Sequence, residues 1–134
     1  MERNGLWLIV AGVFGAMAVA AGAWAAHGLA DNPTAQVWVE TASRYQMLHG
    51  GVIAALALAQ GKGGGMAAVA LAAARWLFAL GVVLFCGALY LLATMGAAPF
   101  PGAAPIGGTA LICGWLAVAV AGVGRLTGRD QTFI

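Results

Sequence analysis

Charged residues are scarce in this chain, and their scarcity excludes a soluble globular protein. The 134 residues include only 6 Lys or Arg and 4 Asp or Glu, or 7% in total. The surface of a soluble domain carries roughly a quarter or more of charged residues. Apolar residues make up 63% of the chain, and its mean hydropathy is +0.93. The composition therefore predicts an integral membrane protein surrounded by the lipid bilayer.

The low net charge and the small number of cysteines limit the partners and sites that we expect. The net charge is only +2 and the basic residues are dispersed, so we expect no nucleic-acid partner. The two cysteines, Cys86 and Cys113, lie in separate apolar runs without the Cys-x-x-Cys spacing. We therefore expect two small apolar core side chains rather than a disulfide or a metal site. The sequence contains no motif that is characteristic of an enzymatic reaction, and we predict no cofactor.

The apolar runs between the charges predict an all-α, four-helix transmembrane bundle in a single domain, residues 1–134. An apolar run of about 20 residues crosses roughly 30 Å of hydrocarbon at 1.5 Å per residue. Asn32 and Pro33 suit the start of the second helix, and Pro105 suits the start of the fourth. The predicted spans are residues 6–26, 41–60, 76–95 and 106–124.

The basic residues predict the orientation of the bundle. Because Lys and Arg accumulate on the cytoplasmic side of an inner-membrane protein, we expect both termini in the cytoplasm. Arg75 is expected to anchor the third span by extending its side chain to the inner surface. The residues placed on the inner side are Arg3, Lys62, Arg75, Arg125 and Arg129.

The second span contains an unusual polar stretch. Only Val52 to Ala59 is cleanly apolar, about 12 Å of helix, so this helix crosses the bilayer only if its polar part is inside. The predicted intramembrane polar site consists of Arg44, Tyr45, Gln46 and His49. Glu40, one turn before Arg44, is predicted at the outer interface, where the two charges can pair.

His49 allows two interpretations. An ionisable side chain near the midplane can mark a proton path, an ion site or a ligand. Alternatively, a neutral imidazole can bond to a backbone carbonyl, Tyr45 or Gln46 and hold two helices together, which is the interpretation we favour. His27 is expected at the outer interface, roughly 15 Å from His49, so no metal shared by the two histidines is predicted.

Small residues recur at positions where helices can approach each other closely. Gly15 and Gly22 belong to such a stripe in the first span. The predicted helix-packing residues are Gly15, Gly22, Gly107, Gly108 and Gly114.

Four short motifs resemble a known family over nearly the whole chain. They are residues 22–28 (GAWAAHG), the pair Tyr45 and His49, residues 84–90 (LFCGALY), and residues 105–108 (PIGG) followed by Gly114-Trp115. In this order and spacing they resemble the family called domain of unknown function 423, which includes the mitochondrial transmembrane protein 256. The resemblance implies a small multi-spanning protein of the bacterial inner membrane and implies no activity.

Three functional classes follow from these observations. We favour a non-enzymatic structural or assembly subunit, acting as a homo-oligomer or within a larger membrane complex. The alternative is a small channel or transporter whose polar pathway is formed by Arg44, Tyr45, Gln46 and His49. A membrane enzyme has the least support, because catalysis needs an acid–base pair or nucleophile and only Tyr45 and His49 are available within the membrane.

Overall fold

Four long helices form the bundle, and they are connected in antiparallel order. The computed structural model describes residues 2–59 and 65–129, and within these ranges all regular structure is helical. The helices are α1 (Glu2–Gly28), α2 (Pro33–Leu58), α3 (Met66–Met95) and α4 (Ala103–Arg129). Each packs mainly on its neighbour in the chain, so α2 and α3 lie in the middle. The predicted all-α, four-helix architecture is confirmed.

Local signals define the ends of these helices. Asn32 caps α2 by accepting a hydrogen bond from the Ala35 N–H at 3.1 Å, and Pro33 occupies the first turn, as the sequence predicts. α3 ends at Gly96, whose φ of 71° is in the left-handed region that favours glycine. The helix ends are therefore set by residues next to them in sequence.

The helices differ in their capacity to cross a membrane. Within the described residues, α1, α3 and α4 are long and apolar enough to span a bilayer. α2 has 26 residues, about 39 Å of helix, but its polar side chains keep it out of that group. α3 begins at Met66, so the residues before the predicted third span extend it as one continuous helix. Lys62, in the predicted inner loop, lies outside the described residues.

The closest helix contact is between α3 and α4, and two glycines make it possible. A Cβ at Gly107 would overlap the backbone of Leu84 and Phe85. A Cβ at Gly114 would lie 2.6 Å from the Phe78 ring. Both sites therefore require glycine for the observed approach of the two helices.

The other predicted packing glycines lie in different surroundings. Gly22 faces α2, where an added Cβ would lie 3.2 Å from the Ser43 hydroxyl. A Cβ at Gly108 would be at the ordinary contact distance of 3.8 Å from the Phe85 ring. Gly15 faces open space, with no atom within 4 Å of an added Cβ. The structure thus brings Gly22, Gly107 and Gly114 into close helix contacts and leaves open space where a Cβ at Gly15 would be.

Candidate functional site: a buried polar network on the second helix

The four residues of the predicted polar site do not share one environment. The Arg44 side chain is 80% exposed and pairs with Glu40 across 3.6 Å. Tyr45 is 44% exposed, whereas Gln46 and His49 are only 2% exposed. Arg44 and Gln46 are two residues apart, which turns them about 200° from each other on a helix. Only Gln46 and His49 are therefore inside the bundle.

Gln46 connects three helices through its amide group. Its Nε2 donates to the Phe14 carbonyl oxygen of α1 at 3.0 Å. Its Oε1 accepts from the Tyr90 hydroxyl of α3 at 2.8 Å. A buried amide needs such partners, because an unsatisfied polar group costs free energy in an apolar interior.

His49 is bonded through both ring nitrogens. Nδ1 lies 2.7 Å from the Tyr45 carbonyl oxygen, and the Trp115 Nε1–H donates to Nε2 at 3.1 Å. An indole N–H is only a donor and a carbonyl oxygen only an acceptor. Both bonds are satisfied together only by a neutral imidazole with its proton on Nδ1. His49 thus bridges α2 and α4 in a single tautomer.

Aromatic rings surround the imidazole. The centroid of the His49 ring lies 5.3 Å from that of Phe78 and 5.9 Å from that of Trp115. The Tyr45 ring is stacked on the imidazole at 6.0 Å with an interplanar angle of 22°, and it also contacts Phe85. The imidazole is therefore held by its two hydrogen bonds within otherwise aromatic surroundings.

Three side chains of α2 bind backbone carbonyls of α1. They lie on one side of α2, and the residues they bind run in the opposite direction along α1, as expected for antiparallel helices. The bonds join Gln36 Nε2 to Ala25 O (3.0 Å), Ser43 Oγ to Ala18 O (2.7 Å) and Gln46 Nε2 to Phe14 O (3.0 Å). Gln36, Ser43 and Gln46 thus attach α2 to α1 along its length.

Two partners in the network were missed from the sequence. In the sequence, Tyr90 and Trp115 stood out only as parts of the family motifs. Trp115 lies near the middle of α4, however, and a Trp or Tyr inside an apolar helix needs a partner for its polar atom. Their positions could therefore have indicated interhelical hydrogen bonds, although not the identity of the acceptors.

The structure keeps the other candidate ligands apart. His27 is exposed in the last turn of α1, about 20 Å along that helix from Phe14, which bonds Gln46 one turn from His49. Among residues 2–59 and 65–129, no cluster of three or more His, Cys, Asp or Glu could hold a metal.

The two cysteines also occupy different surroundings. Both are free thiols, and Cys86 is buried with its thiol donating to the Ala42 carbonyl oxygen at 3.3 Å. Cys113 is exposed, so the expectation of a core side chain at this position was wrong.

Comparisons with known proteins agree with the family predicted from the motifs. The family model described as Protein of unknown function (DUF423) matches residues 21–108. A UPF0382 membrane protein of Haemophilus influenzae is 35% identical over 115 residues, covering 84% of this chain and 90% of the relative. The UPF0382 membrane protein YwdK of Bacillus subtilis is 33% identical over 121 residues, covering 88% and 96%.

A third relative carries a more specific name. The UPF0382 inner membrane protein YgdD of Escherichia coli is 32% identical over 124 residues, covering 87% of this chain and 88% of the relative. No solved structure matches the chain. The family match and the relatives, together with the membrane-spanning helices, show that this chain belongs to the DUF423 family of membrane proteins.

Proposed function

We propose that this protein is a non-enzymatic structural or assembly subunit of the bacterial inner membrane. One observation carries the proposal: the two buried polar side chains of α2, Gln46 and His49, are both bonded to other helices. Polar atoms engaged in this way stabilise the bundle and are not presented to a ligand. The inner-membrane location rests on the family and on the name of the E. coli relative.

The geometry around His49 argues against an enzyme. A catalytic base needs a ring nitrogen within reach of a proton donor on a nucleophile or substrate. Both nitrogens of His49 already bind Tyr45 and Trp115. Tyr45 meets the imidazole through stacked ring faces, which does not bring its hydroxyl to a nitrogen. The two residues therefore lack the arrangement of an acid–base pair.

The alternative channel hypothesis requires a continuous polar pathway. Three of the four candidate residues instead bind different neighbours: Gln46 binds α1 and α3, His49 binds α4, and Arg44 pairs with Glu40 on the outside of α2. Phe78 packs against the His49 ring and Phe85 against the Tyr45 ring. This arrangement favours a packed core over a pore.

α1 provides the surface that we assign to a partner. It packs along α2, and only 11% of its most apolar 18-residue window is buried, against 28% for α3 and 22% for α4. Gly12 and Gly15 each have open space where a Cβ would be. Glycines on an exposed helix face permit a second helix to approach closely. A second copy or another subunit of a larger membrane complex fits this face.

Native mass spectrometry of the protein extracted gently from its own membrane tests the proposal. We expect a defined oligomer or a complex with other membrane proteins. Gly15→Leu should dissociate it, whereas Gly122→Leu, at a similarly open site on α4, should leave it intact. A monomer without a partner would refute the assembly function.

A flux assay in liposomes separates the two hypotheses. The assembly proposal expects the same proton flux from the wild type, His49→Ala and empty liposomes. A proton flux that is present with the wild type, absent from empty liposomes and abolished by His49→Ala would refute the assembly proposal and support the channel hypothesis.

A further inference from the structure

A groove lies between the first turns of α1 and residues 68–79 of α3, and neither Gln46 nor His49 lines it. Its volume is about 560 Å³, within the range of roughly 300–1,000 Å³ that is usual for small-molecule sites. Two arginines and two tryptophans line it, namely Arg3, Trp7, Arg75 and Trp76, and the rest of its lining is apolar. The groove therefore combines a cationic part with a hydrocarbon-like wall.

Arg75 does not extend to the surface as its position in the sequence suggested. Its exposure is only 6%, and its Cζ lies 5.5 Å from the centroid of the Trp7 ring. A guanidinium stacked on an indole gains cation–π attraction and keeps a fixed orientation. The positive charge of Arg75 is thus held inside the groove.

The two tryptophans show the level at which the groove lies. The Trp7 and Trp76 rings contact each other edge to face, with centroids 5.0 Å apart. Trp7 is the sixth residue of α1 and Trp76 is the eleventh of α3, so these parts of the two helices lie at the same level. Tryptophan prefers the headgroup region of a bilayer, where one side of the ring meets hydrocarbon and the N–H meets polar groups.

The charges in the groove favour an anion. Two guanidinium groups, those of Arg3 and Arg75, line it. The ion pair of Glu40 and Arg44 is near the opposite end of the bundle, because neighbouring Gln36 binds Ala25 near the end of α1. A guanidinium matches the geometry of phosphate oxygens, and arginine is well suited to bind a phosphate.

The apolar wall identifies the class of anion. Leu6, Val10, Ala72 and Ala79 form an apolar wall beside the charges. A free phosphate would leave this wall uncovered, whereas an acyl chain would cover it. We propose that the groove binds one anionic phospholipid, with its phosphate at Arg3 and Arg75 and part of an acyl chain along the wall.

Native mass spectrometry of the full chain in detergent tests this site with defined lipids. Phosphatidylglycerol and phosphatidylcholine with identical acyl chains differ only in their headgroups. We expect the wild type to bind one phosphatidylglycerol with an affinity at least about fivefold higher than for phosphatidylcholine. Excess inorganic phosphate should not displace the lipid, because it lacks the acyl chain.

Variants locate the binding in the groove. Arg3→Gln and Arg75→Gln should each weaken phosphatidylglycerol binding about fivefold, and Arg75→Lys should retain most of it. Ala72→Phe should weaken both lipids by filling the wall. The matched control is Arg125→Gln, which removes an exposed charge from the last turns of α4 and should change the affinity less than about twofold.

Several outcomes would overturn the proposal. Equal affinity for the two lipids, or an equal loss in Arg125→Gln and Arg75→Gln, would show that only the overall positive charge matters. Displacement by inorganic phosphate would identify a simple anion site. If Arg75→Gln fails to fold, Arg3→Gln and Ala72→Phe decide the matter, and unchanged binding in both would reject the groove.

Discussion

The indole N–H of Trp115 donates to Nε2 of His49 over 3.1 Å, joining α4 to α2 across the interior of the bundle. These residues are 66 positions apart in the chain. Because the Tyr45 carbonyl binds the other nitrogen, the indole also selects the tautomer of the imidazole. A histidine inside a membrane protein here serves to connect helices.

Replacing Trp115 by Phe should destabilise the bundle. The substitution keeps an aromatic ring but removes the donor, so Nε2 of the buried His49 loses its partner. We expect the free energy of unfolding to fall by about 1 kcal/mol, measured by titrating the detergent-solubilised protein with dodecyl sulfate. Trp24→Phe, at an exposed site on α1, is the control. Equal effects of the two substitutions would contradict a specific Trp115 bond.

The tautomer of His49 can be measured directly. Nitrogen-15 spectra of protein labelled at histidine should show a protonated Nδ1 and an unprotonated Nε2 at neutral pH, because both partners are satisfied only in that form. His27, which is exposed, serves as the internal reference. A charged ring, or a proton on Nε2, would be incompatible with the described network.

Gln46→Leu should cost more stability than Gln36→Leu. Gln46 makes two interhelical bonds and Gln36 makes one. At roughly 0.6 kcal/mol for each bond inside a membrane bundle, the expected losses are about 1.2 and 0.6 kcal/mol. The same unfolding titration compares the two variants, which share the same change of residue type. A larger loss in Gln36→Leu would show that bond number does not determine the effect.

Gly107→Ala should disrupt the contact between α3 and α4. The new methyl group would overlap backbone atoms of Leu84 and Phe85, which cannot rotate away. We expect a loss of about 3 kcal/mol or more, or failure to fold. Gly12→Ala is the matched control, because that site is open and helical. Its stability should change by less than about 1 kcal/mol, and comparable losses in both variants would disprove a packing effect.

Glu40→Gln should leave the stability nearly unchanged. The carboxylate pairs with an Arg44 side chain that is 80% exposed, across a distance of 3.6 Å. Exposed pairs one helical turn apart contribute only about 0.3–0.5 kcal/mol. A loss above about 1 kcal/mol would indicate that Arg44 has a more important structural function than its exposure suggests.

Much of the fold could be predicted because it depends on local properties. The apolar runs indicated the four helices, and Asn32 with Pro33 marked the start of α2. The short motifs indicated the family. A position of the polar stretch of α2 within the membrane was also predicted, because α2 otherwise has too little apolar length to cross a bilayer.

The partners of these residues could not be predicted. Arg44 follows the same polar stretch but lies outside the bundle, and Arg75 is inside although it borders a span. Such differences depend on the rotation of each helix about its axis, and the sequence pattern does not reveal that rotation. Of the glycines, Gly107 and Gly15 look alike in sequence and differ in whether a neighbouring helix is present.

The sequence by itself determined the membrane environment, the number of helices, the family and the polar stretch of α2 that contains Gln46 and His49. Tertiary structure decided what those residues do. It placed the Trp115 indole against His49, the Tyr90 hydroxyl against Gln46, and Arg3 with Arg75 in one groove. The physical reason is that helix formation depends on residues within a few turns, whereas hydrogen bonds between helices depend on register and rotation set by all contacts together.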